Sequence, residues 1–438
     1  MTQTKTELLK KIEAREAVIA VIGIGYVGLP LAVEFGREGY RVVGVDVDAR
    51  KVERINEGVS YIPDIATEEI ADLVGKGLLS ATSDYSVLHD VDAISICVPT
   101  PLRKTKDPDM SFIIAAADQI ARYSRAGQLI VLESTTYPGT TDELIVPRLA
   151  GNGLKVGEDV FICFSPERID PGNPTYGVRN TPKVIGGVTP ACVEVAVALY
   201  SKPIERVIPV SSTRAAEMVK LLENTFRSVN IGMVNEMAVM CDKLDVNVWE
   251  VIEAASTKPF GFMTFFPGPG LGGHCIPIDP LYLSWKLKAL NYNARFIELA
   301  SEVNSNMPLY VINKVMEALN EVRQTVNGAS ILVLGVAYKR DIDDLRESPA
   351  LDIIQLLQER GGVVSYHDKY VTTLHHEGID LESVDLTAEA LKAADCVVVV
   401  TDHTHIDYGF VADNARIVVD TRNALKNVED PACTVVLL

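Results

Sequence analysis

The chain has 438 residues, 47% hydrophobic and 23% charged, the balance of a soluble globular enzyme with room for two or three domains. A formal net charge of −18 argues against nucleic acid as a partner, although a local basic pocket in an acidic protein can hold an anion. No apolar run approaches the ~18–20 residues of a membrane span. Seven scattered cysteines with no CxxC pair argue against a disulfide framework or a zinc site and fit a reducing cytoplasm.

A polar helix is expected over residues 6–16, with no signal-peptide hydrophobic region. Residues 18–23 are a continuous apolar run, the mark of a strand buried on both faces. The run enters Gly23-x-Gly25-x-x-Gly28, with Tyr26 and Val27 inside the turn, and a helical stretch follows over 29–39. Residues 41–46 read as the next strand and end in Asp46, 18 residues after Gly28. A lone GxGxxG is weak, but here it leaves a strand, opens a helix and has an acid in place. Gly23 makes the turn, Gly25 lets the backbone approach a pyrophosphate, and Gly28 lets helix and strand pack. The helix N-terminus favours the phosphate charge. Asp46 would accept from the adenosine ribose and repel a 2′-phosphate, so NAD is expected over NADP.

The alternation of strand and helix continues. Apolar runs at 93–98, 128–132 and 160–164 end in Pro99 and Thr100, in Thr135, and in Glu167 and Arg168. Ligands of open α/β sheets sit beyond the carboxyl ends of strands, which places Thr100, Thr135 and Glu167 for cofactor or substrate. Singly, each is more often a turn residue or a helix cap.

A long helix is expected from Ser211 or Ser212 to about Leu244, with Val219, Leu222, Phe226 and Val229 marking its apolar side. Lys220 and Asn224 are one turn apart and share a face, where they could hold an anionic oxygen; a solvated surface lysine is the commoner case. Asn247 reads as the cap of a second helix starting at Val248. Residues 258–270 hold four Phe and three Pro and lead into the glycine-dense loop 268–279, which carries Cys275 and Asp279. A lone cysteine there can be a nucleophile, although most free cysteines are small core residues.

Residues 330–335 restart the strand–glycine pattern, followed by Lys339 and Arg346 and by strands at 363–366, 396–400 and 417–420, the last leading to Arg422. Without a full GxGxxG, a second dinucleotide is not expected; Lys339, Arg346 and Arg422 near strand ends suit a diphosphate. The fold class expected is α/β, two doubly wound Rossmann-like domains joined by a long central helix. The bounds expected are 1–210 for the NAD-binding domain, 211–325 for a central helical dimerisation region with the cysteine loop, and 326–438 for a second domain suited to a diphosphate, which the resemblance given next makes that of a UDP-sugar.

The chain resembles the UDP-glucose/GDP-mannose dehydrogenase family over nearly its whole length. The marks are GIGYVGLP at 23–30, Asp46, CVPTP at 97–101, ESTTYPGTT at 133–141, SPER at 165–168, AEMVKLLEN at 216–224, GPGLGGHCIPIDP at 268–280 and YKRDIDDLRESPA at 338–350. The run KPFGFMTFFPGPGLGGHC is most similar to the branch acting on UDP-N-acetylhexosamines, particularly UDP-N-acetylglucosamine 6-dehydrogenases of bacterial surface-polysaccharide pathways (lipopolysaccharide O-antigen or capsule). Pro259 and Phe260 stand where the UDP-glucose branch carries basic residues.

The resemblance implies a four-electron oxidation of a primary alcohol to a carboxylate with two NAD⁺. It makes Cys275 the nucleophile that traps the C6 aldehyde as a thiohemiacetal, and Lys220 and Asn224 the oxyanion donors. Asp279 assists proton transfer, and Glu167 with Thr135 positions water or acts as base. Gly23, Gly25, Tyr26, Val27, Gly28, Asp46, Pro99, Thr100, Thr135 and Arg346 fall to the cofactor. Glu167, Arg168, Lys220, Asn224, Gly272, Gly273, Lys339 and Arg422 fall to the substrate, Lys339 and Arg422 on its diphosphate. No metal is implied, and a homodimer or larger homo-oligomer in the cytoplasm is. The galacto and manno epimers and UDP-glucose are alternative substrates. A two-electron hydroxyacid or 6-phosphogluconate-type dehydrogenase and an NAD-binding redox regulator without turnover are the rival readings.

Overall fold

The computed structural model describes residues 2–103, 107–169, 173, 175–376 and 378–438. The chain forms two compact units, one up to Glu223 with Trp285–Leu290, the other Asn224–Ser284 with Asn291–Leu438.

The first unit is built on strands β1 Val18–Ile22, β2 Arg41–Val45, β3 Leu79–Thr82, β4 Ala93–Ile96, β5 Gln128–Leu132, β6 Val160–Phe164, β7 Lys183–Gly187 and β8 Val207–Val210. They form one sheet in the order β3-β2-β1-β4-β5-β6-β7-β8, parallel throughout except between β6 and β7. The order reverses at β1 and β4, the point where doubly wound sheets open a ligand crevice. Helices cover both faces, so the inner strands are buried along their length, as their unbroken apolar runs require. Strands β3, β7 and β8 carry no such run. β8 lies at the edge, where Pro209 is tolerated because no ladder donor is needed there.

The second unit repeats the plan on a smaller scale. Strands β9 Ser330–Leu334, β10 Val363–His367, β13 Cys396–Val399, β14 Ile417–Asp420 and β15 Thr434–Leu437 form an all-parallel sheet, β10-β9-β13-β14-β15. A hairpin of β11 Thr373–His376 and β12 Ile379–Glu382 is separate. Alternate residues of β9 enter two different cores, Ile331 and Val333 on one face and Leu332 and Leu334 on the other. Two doubly wound sheets and a long helix between their sequences match the expected fold class.

That helix, Thr213–Lys243, continues from the first unit into the second. Ser212 caps it, its hydroxyl accepting from the Ala215 N–H at 3.1 Å. Asn247 likewise caps the helix Val248–Ser256. The first helix of the chain is Gln3–Glu13 rather than 6–16, because the Thr2 hydroxyl accepts from Lys5 N–H and starts it early.

The apolar side expected on the long helix is corrected. Leu222 and Phe226 are 62% and 44% exposed, while Glu217, Lys220, Leu221, Asn224, Ser228 and Asn235 are buried. The buried polar residues have hydrogen-bonding work that apolar ones cannot do. Glu217 accepts from the N–H of Thr141 at 2.9 Å and from its hydroxyl at 2.7 Å, and also from the N–H of Gly139. Met218, Leu222, Phe226, Met233, Met237, Met240 and Leu244 form an exposed stripe at helical spacing instead.

Candidate active site

At the end of β1 the three glycines do different work. Gly23 has φ +88°, and a Cβ there would lie 2.6 Å from the Cys97 carbonyl oxygen. A Cβ at Gly28 would meet the Gly23 carbonyl oxygen at 1.9 Å, so the helix Gly28–Arg37 packs that close only with glycine. Gly25 has nothing within 4 Å of its Cβ direction. The fold does not demand that glycine; it leaves open the cradle, at a helix N-terminus, that a pyrophosphate would fill.

Asp46 is 7% exposed and fastened to this turn. Its carboxylate accepts from the N–H of Ile24 at 3.1 Å and of Asp48 at 2.9 Å, and Lys51 lies 3.4 Å away. Tyr26 and Pro99 are exposed and Val27 half-buried, whereas Thr100 is buried and Thr135 half-buried. Ser134 donates to the Val98 carbonyl at 2.7 Å and so ties the ends of β4 and β5 together. The residues present therefore fit NAD.

Glu167 leaves the end of β6. Its Oε1 accepts from the N–H groups of Arg168 and Ile169 at 2.7 and 2.8 Å, and its Oε2 lies 3.5 Å from Lys183 Nζ. Arg168 pairs with Glu223 at 2.7 Å and donates to the Pro182 carbonyl at 2.6 Å. Behind Glu167 lies a network that sequence reasoning missed. Lys183 Nζ is 2.6 Å from Glu133, with side chains 6% and 0% exposed. Tyr200 donates to Glu133 and lies 2.8 Å from Ser95 Oγ. Burial opposes the Lys183 charge, but Glu133 and then Glu167 outweigh it and hold its pKa above the ordinary lysine value. The only sequence signal was a lysine opening an otherwise apolar strand.

Lys220 and Asn224 sit on consecutive turns of the long helix and are 8% and 5% exposed, so Lys220 is not a solvated surface lysine. In the second unit, Asn224 donates to Asp279, which is buried and opens the helix Asp279–Lys288. Of the seven free cysteines only Cys275 is not buried. Its carbonyl accepts from the N–H of Ile278 and Asp279 at 3.1 and 2.8 Å, closing the turn into that helix. Its Sγ lies 3.9 Å from His274 Nδ1.

Before Cys275, Gly273 N–H donates to the Arg346 carbonyl at 3.0 Å, and Cβ atoms at Gly272 and Gly273 would lie 2.5 and 2.8 Å from the Tyr338 side chain. The Arg346 guanidinium is paired with Asp344 at 2.6 Å, which raises its pKa; a smaller part of the rise comes from Cys275. Arg422 donates from Nε to the Val400 carbonyl at 2.8 Å, and burial lowers its pKa. Its guanidinium lies against Gly268, where a Cβ would come within 2.6 Å of Nη1. Lys339 is half-buried beyond β9. Within the second unit, then, the cysteine loop, the Asn224–Asp279 pair, Arg346 and Arg422 are brought to one set of loops.

Three domain models of the UDP-glucose/GDP-mannose dehydrogenase family match in sequence order, the NAD binding domain at 17–204, the central domain at 214–306 and the UDP binding domain at 332–427. The NDP-N-acetyl-D-galactosaminuronic acid dehydrogenase of Ralstonia nicotianae is 38% identical, covering 92% of this chain and 95% of that protein. The UDP-N-acetyl-D-glucosamine 6-dehydrogenase of Pseudomonas aeruginosa is 35% identical, covering 83% and 86%. Among solved structures, the UDP-D-ManNAc dehydrogenase of Pyrococcus horikoshii superposes with a TM-score of 0.87 at 33% identity, covering 96% of this chain and 98% of that one. No helix among the described residues is long and apolar enough to cross a membrane.

Proposed function

The chain belongs to the UDP-glucose/GDP-mannose dehydrogenase family and is an NAD-dependent nucleotide-sugar dehydrogenase; within that family we propose a four-electron oxidation of the C6 alcohol of a UDP-N-acetylhexosamine to the carboxylate, through a covalent bond to Cys275. The observation that carries this reading is Cys275 itself, the one cysteine outside the core, held in a glycine loop that backbone and side-chain contacts fix from several sides. A thiol with only a packing role has no need of that loop.

NAD, held by the Gly23–Gly28 turn and Asp46, would supply the hydride acceptor for both oxidations, of the C6 alcohol to the aldehyde and of the thiohemiacetal to the thioester. The chain's residues do the rest. The Cys275 sulfur adds to the C6 aldehyde, giving a thiohemiacetal that can lose a hydride where the bare aldehyde cannot. Loss of that hydride leaves a thioester, and water cleaves it to the acid and the free thiol. Lys220, together with the Asn224 N–H not given to Asp279, stabilises the oxyanion of each tetrahedral stage, an effect worth about 3–4 kcal/mol per donor. Asp279 moves protons beside them. Glu167, with one oxygen anchored by two amides, orients the water together with Thr135. Arg422 and Lys339 hold the diphosphate.

The sugar proposed is the gluco epimer, feeding a surface polysaccharide in the cytoplasm. The manno epimer is the second reading, favoured by the names of relatives such as the UDP-N-acetyl-D-mannosamine dehydrogenase of Pyrococcus horikoshii, 36% identical over 417 residues. The exposed stripe on the long helix supports a homodimer. The test is NADH released per UDP-sugar consumed, run on the gluco, manno and galacto epimers and on UDP-glucose. Two per sugar are expected, and Cys275→Ser should still bind NAD but form no acid. One NADH per sugar, or acid formed by the serine variant at the parent rate, refutes the covalent reading.

A further inference from the structure

Two buried asparagines on separate helices lie behind the cysteine loop, and no step of the reaction uses them. Asn235, on the long helix, is 0% exposed; Asn304, on the helix Arg295–Glu321, is 3% exposed. Gly268 N–H donates to Asn235 Oδ1 at 2.9 Å. Asn235 Nδ2 donates to Asn304 Oδ1 at 2.8 Å, and Asn304 Nδ2 donates to the Ser228 carbonyl at 3.1 Å. This relay has one consistent orientation. A backbone N–H can only donate, so Asn235 must turn its oxygen to Gly268 and its nitrogen to Asn304. Asn304 must then offer oxygen, and its nitrogen ends on a carbonyl, which can only accept. Flipping either amide would set donor against donor in a dry interior.

We infer that Asn235 and Asn304 are positioning residues that seat the cysteine loop and the Arg422 guanidinium as one body. Gly268 is the shared point: its N–H is the end of the relay, and its Cα lies against Arg422. The second fixed point is Gly270, where a Cβ would lie 3.0 Å from Pro349 and 3.5 Å from the Asn304 carbonyl oxygen. Pro308, inside that helix, removes the N–H that would otherwise bond the Asn304 carbonyl, so the loop meets the helix where its hydrogen-bond ladder lacks a rung. The nucleophile's loop and the diphosphate's guanidinium thus take their heights from the same hydrogen bond.

The inference rests on the reading of Arg422 as a diphosphate ligand. Its test is Asn235→Leu, which keeps the shape and removes the acceptor, with Gly268→Ala as the second variant. The measurements are UDP and NAD affinities by calorimetry, kcat, and hydrogen exchange of the peptide covering Gly268. Asn235→Leu should weaken UDP at least tenfold, lower kcat at least tenfold, and speed exchange at Gly268, with NAD affinity unchanged. Gly268→Ala should weaken UDP tenfold at an unchanged melting temperature. UDP affinity and exchange within twofold of the parent in a folded Asn235→Leu protein overturn the inference. Should that variant not fold, parent-like UDP binding by Gly268→Ala does the same. If Arg422→Ala binds UDP as the parent does, the diphosphate reading fails, while hydrogen exchange at Gly268 in Asn235→Leu still decides the relay.

Discussion

Replacing Lys183 with Met should unfold the first unit more than any surface change could, and the structure sets the size. Glu133 is 0% exposed and loses an ammonium 2.6 Å away, keeping only the Tyr200 hydroxyl. Removing one partner of a buried pair typically costs ~3–5 kcal/mol, because the remaining charge is stranded in a poor solvent. At about 2–4 °C per kcal/mol for a domain of this size, the first unit's transition should fall by about 6–20 °C. The loss also has a signed pH dependence. Burial already holds the Glu133 pKa above the ordinary carboxylate value against the pull of Lys183, and loss of that counter-charge raises it further, so below that pKa the folded protein takes up a proton and is relieved. The deficit should therefore shrink as the pH falls from about 8 to about 5. The double variant Lys183→Met with Glu133→Gln should regain at least half the loss, since no charge is left buried. Urea unfolding of parent, single and double variants at both pH values measures all three. A single variant within about 1 kcal/mol of the parent, or a pH-independent loss that the double does not recover, refutes the argument.

Gly25→Ala should leave the melting temperature unchanged and weaken NAD about tenfold or more, whereas Gly28→Ala should destabilise by about 1–3 kcal/mol or more; melts and NAD titrations of the two separate the glycine kept for the ligand from the one kept for the fold. Asp368 is buried, yet His403 at 2.9 Å and the N–H groups of Val336 and Tyr370, both at 2.8 Å, outweigh that burial and lower its pKa to about 2. Its charge should add about 2 kcal/mol above pH ~4, lost as the pH falls towards about 2, so urea midpoints of Asp368→Asn should show a flatter acid limb than the parent. Met237→Glu, a charge in the middle of the exposed stripe, should shift sedimentation towards the monomer.

Most of the strands legible in the sequence, such as Val18–Ile22 and Gln128–Leu132, are apolar runs buried on both faces. Val207–Val210 and Lys183–Gly187 escaped notice because a proline in one and two glycines with a lysine in the other dilute the pattern. The dinucleotide turn was legible because its chemistry is local: glycines, helix start and acid lie within one strand–helix–strand unit. The long helix misled for a physical reason. Its longest apolar stripe, Met218 to Leu244, faces outward, and its buried side mixes Leu221, Val234 and Ala238 with polar residues held by hydrogen bonds to partners far away in sequence, which no periodicity reports. Glu133 stood inside a recognised motif, but its partner Lys183 lies 50 residues on and Tyr200 lies 67 on, and nothing local joins them.

The path of the chain limits how the protein can be taken apart. It leaves the first unit after Glu223, returns for Trp285–Leu290, and leaves again. The returning piece is attached by its side chains: Trp285 packs on Tyr137 with ring centroids 5.3 Å apart, and Lys286 pairs with Glu143 at 2.7 Å. A fragment ended at Glu223 would therefore bare the Tyr137 ring. Swapping nucleotide-binding halves between relatives at that point would import a surface shaped for another protein's segment. A transplant that keeps its own six residues, spliced at three junctions, is the smallest exchangeable part.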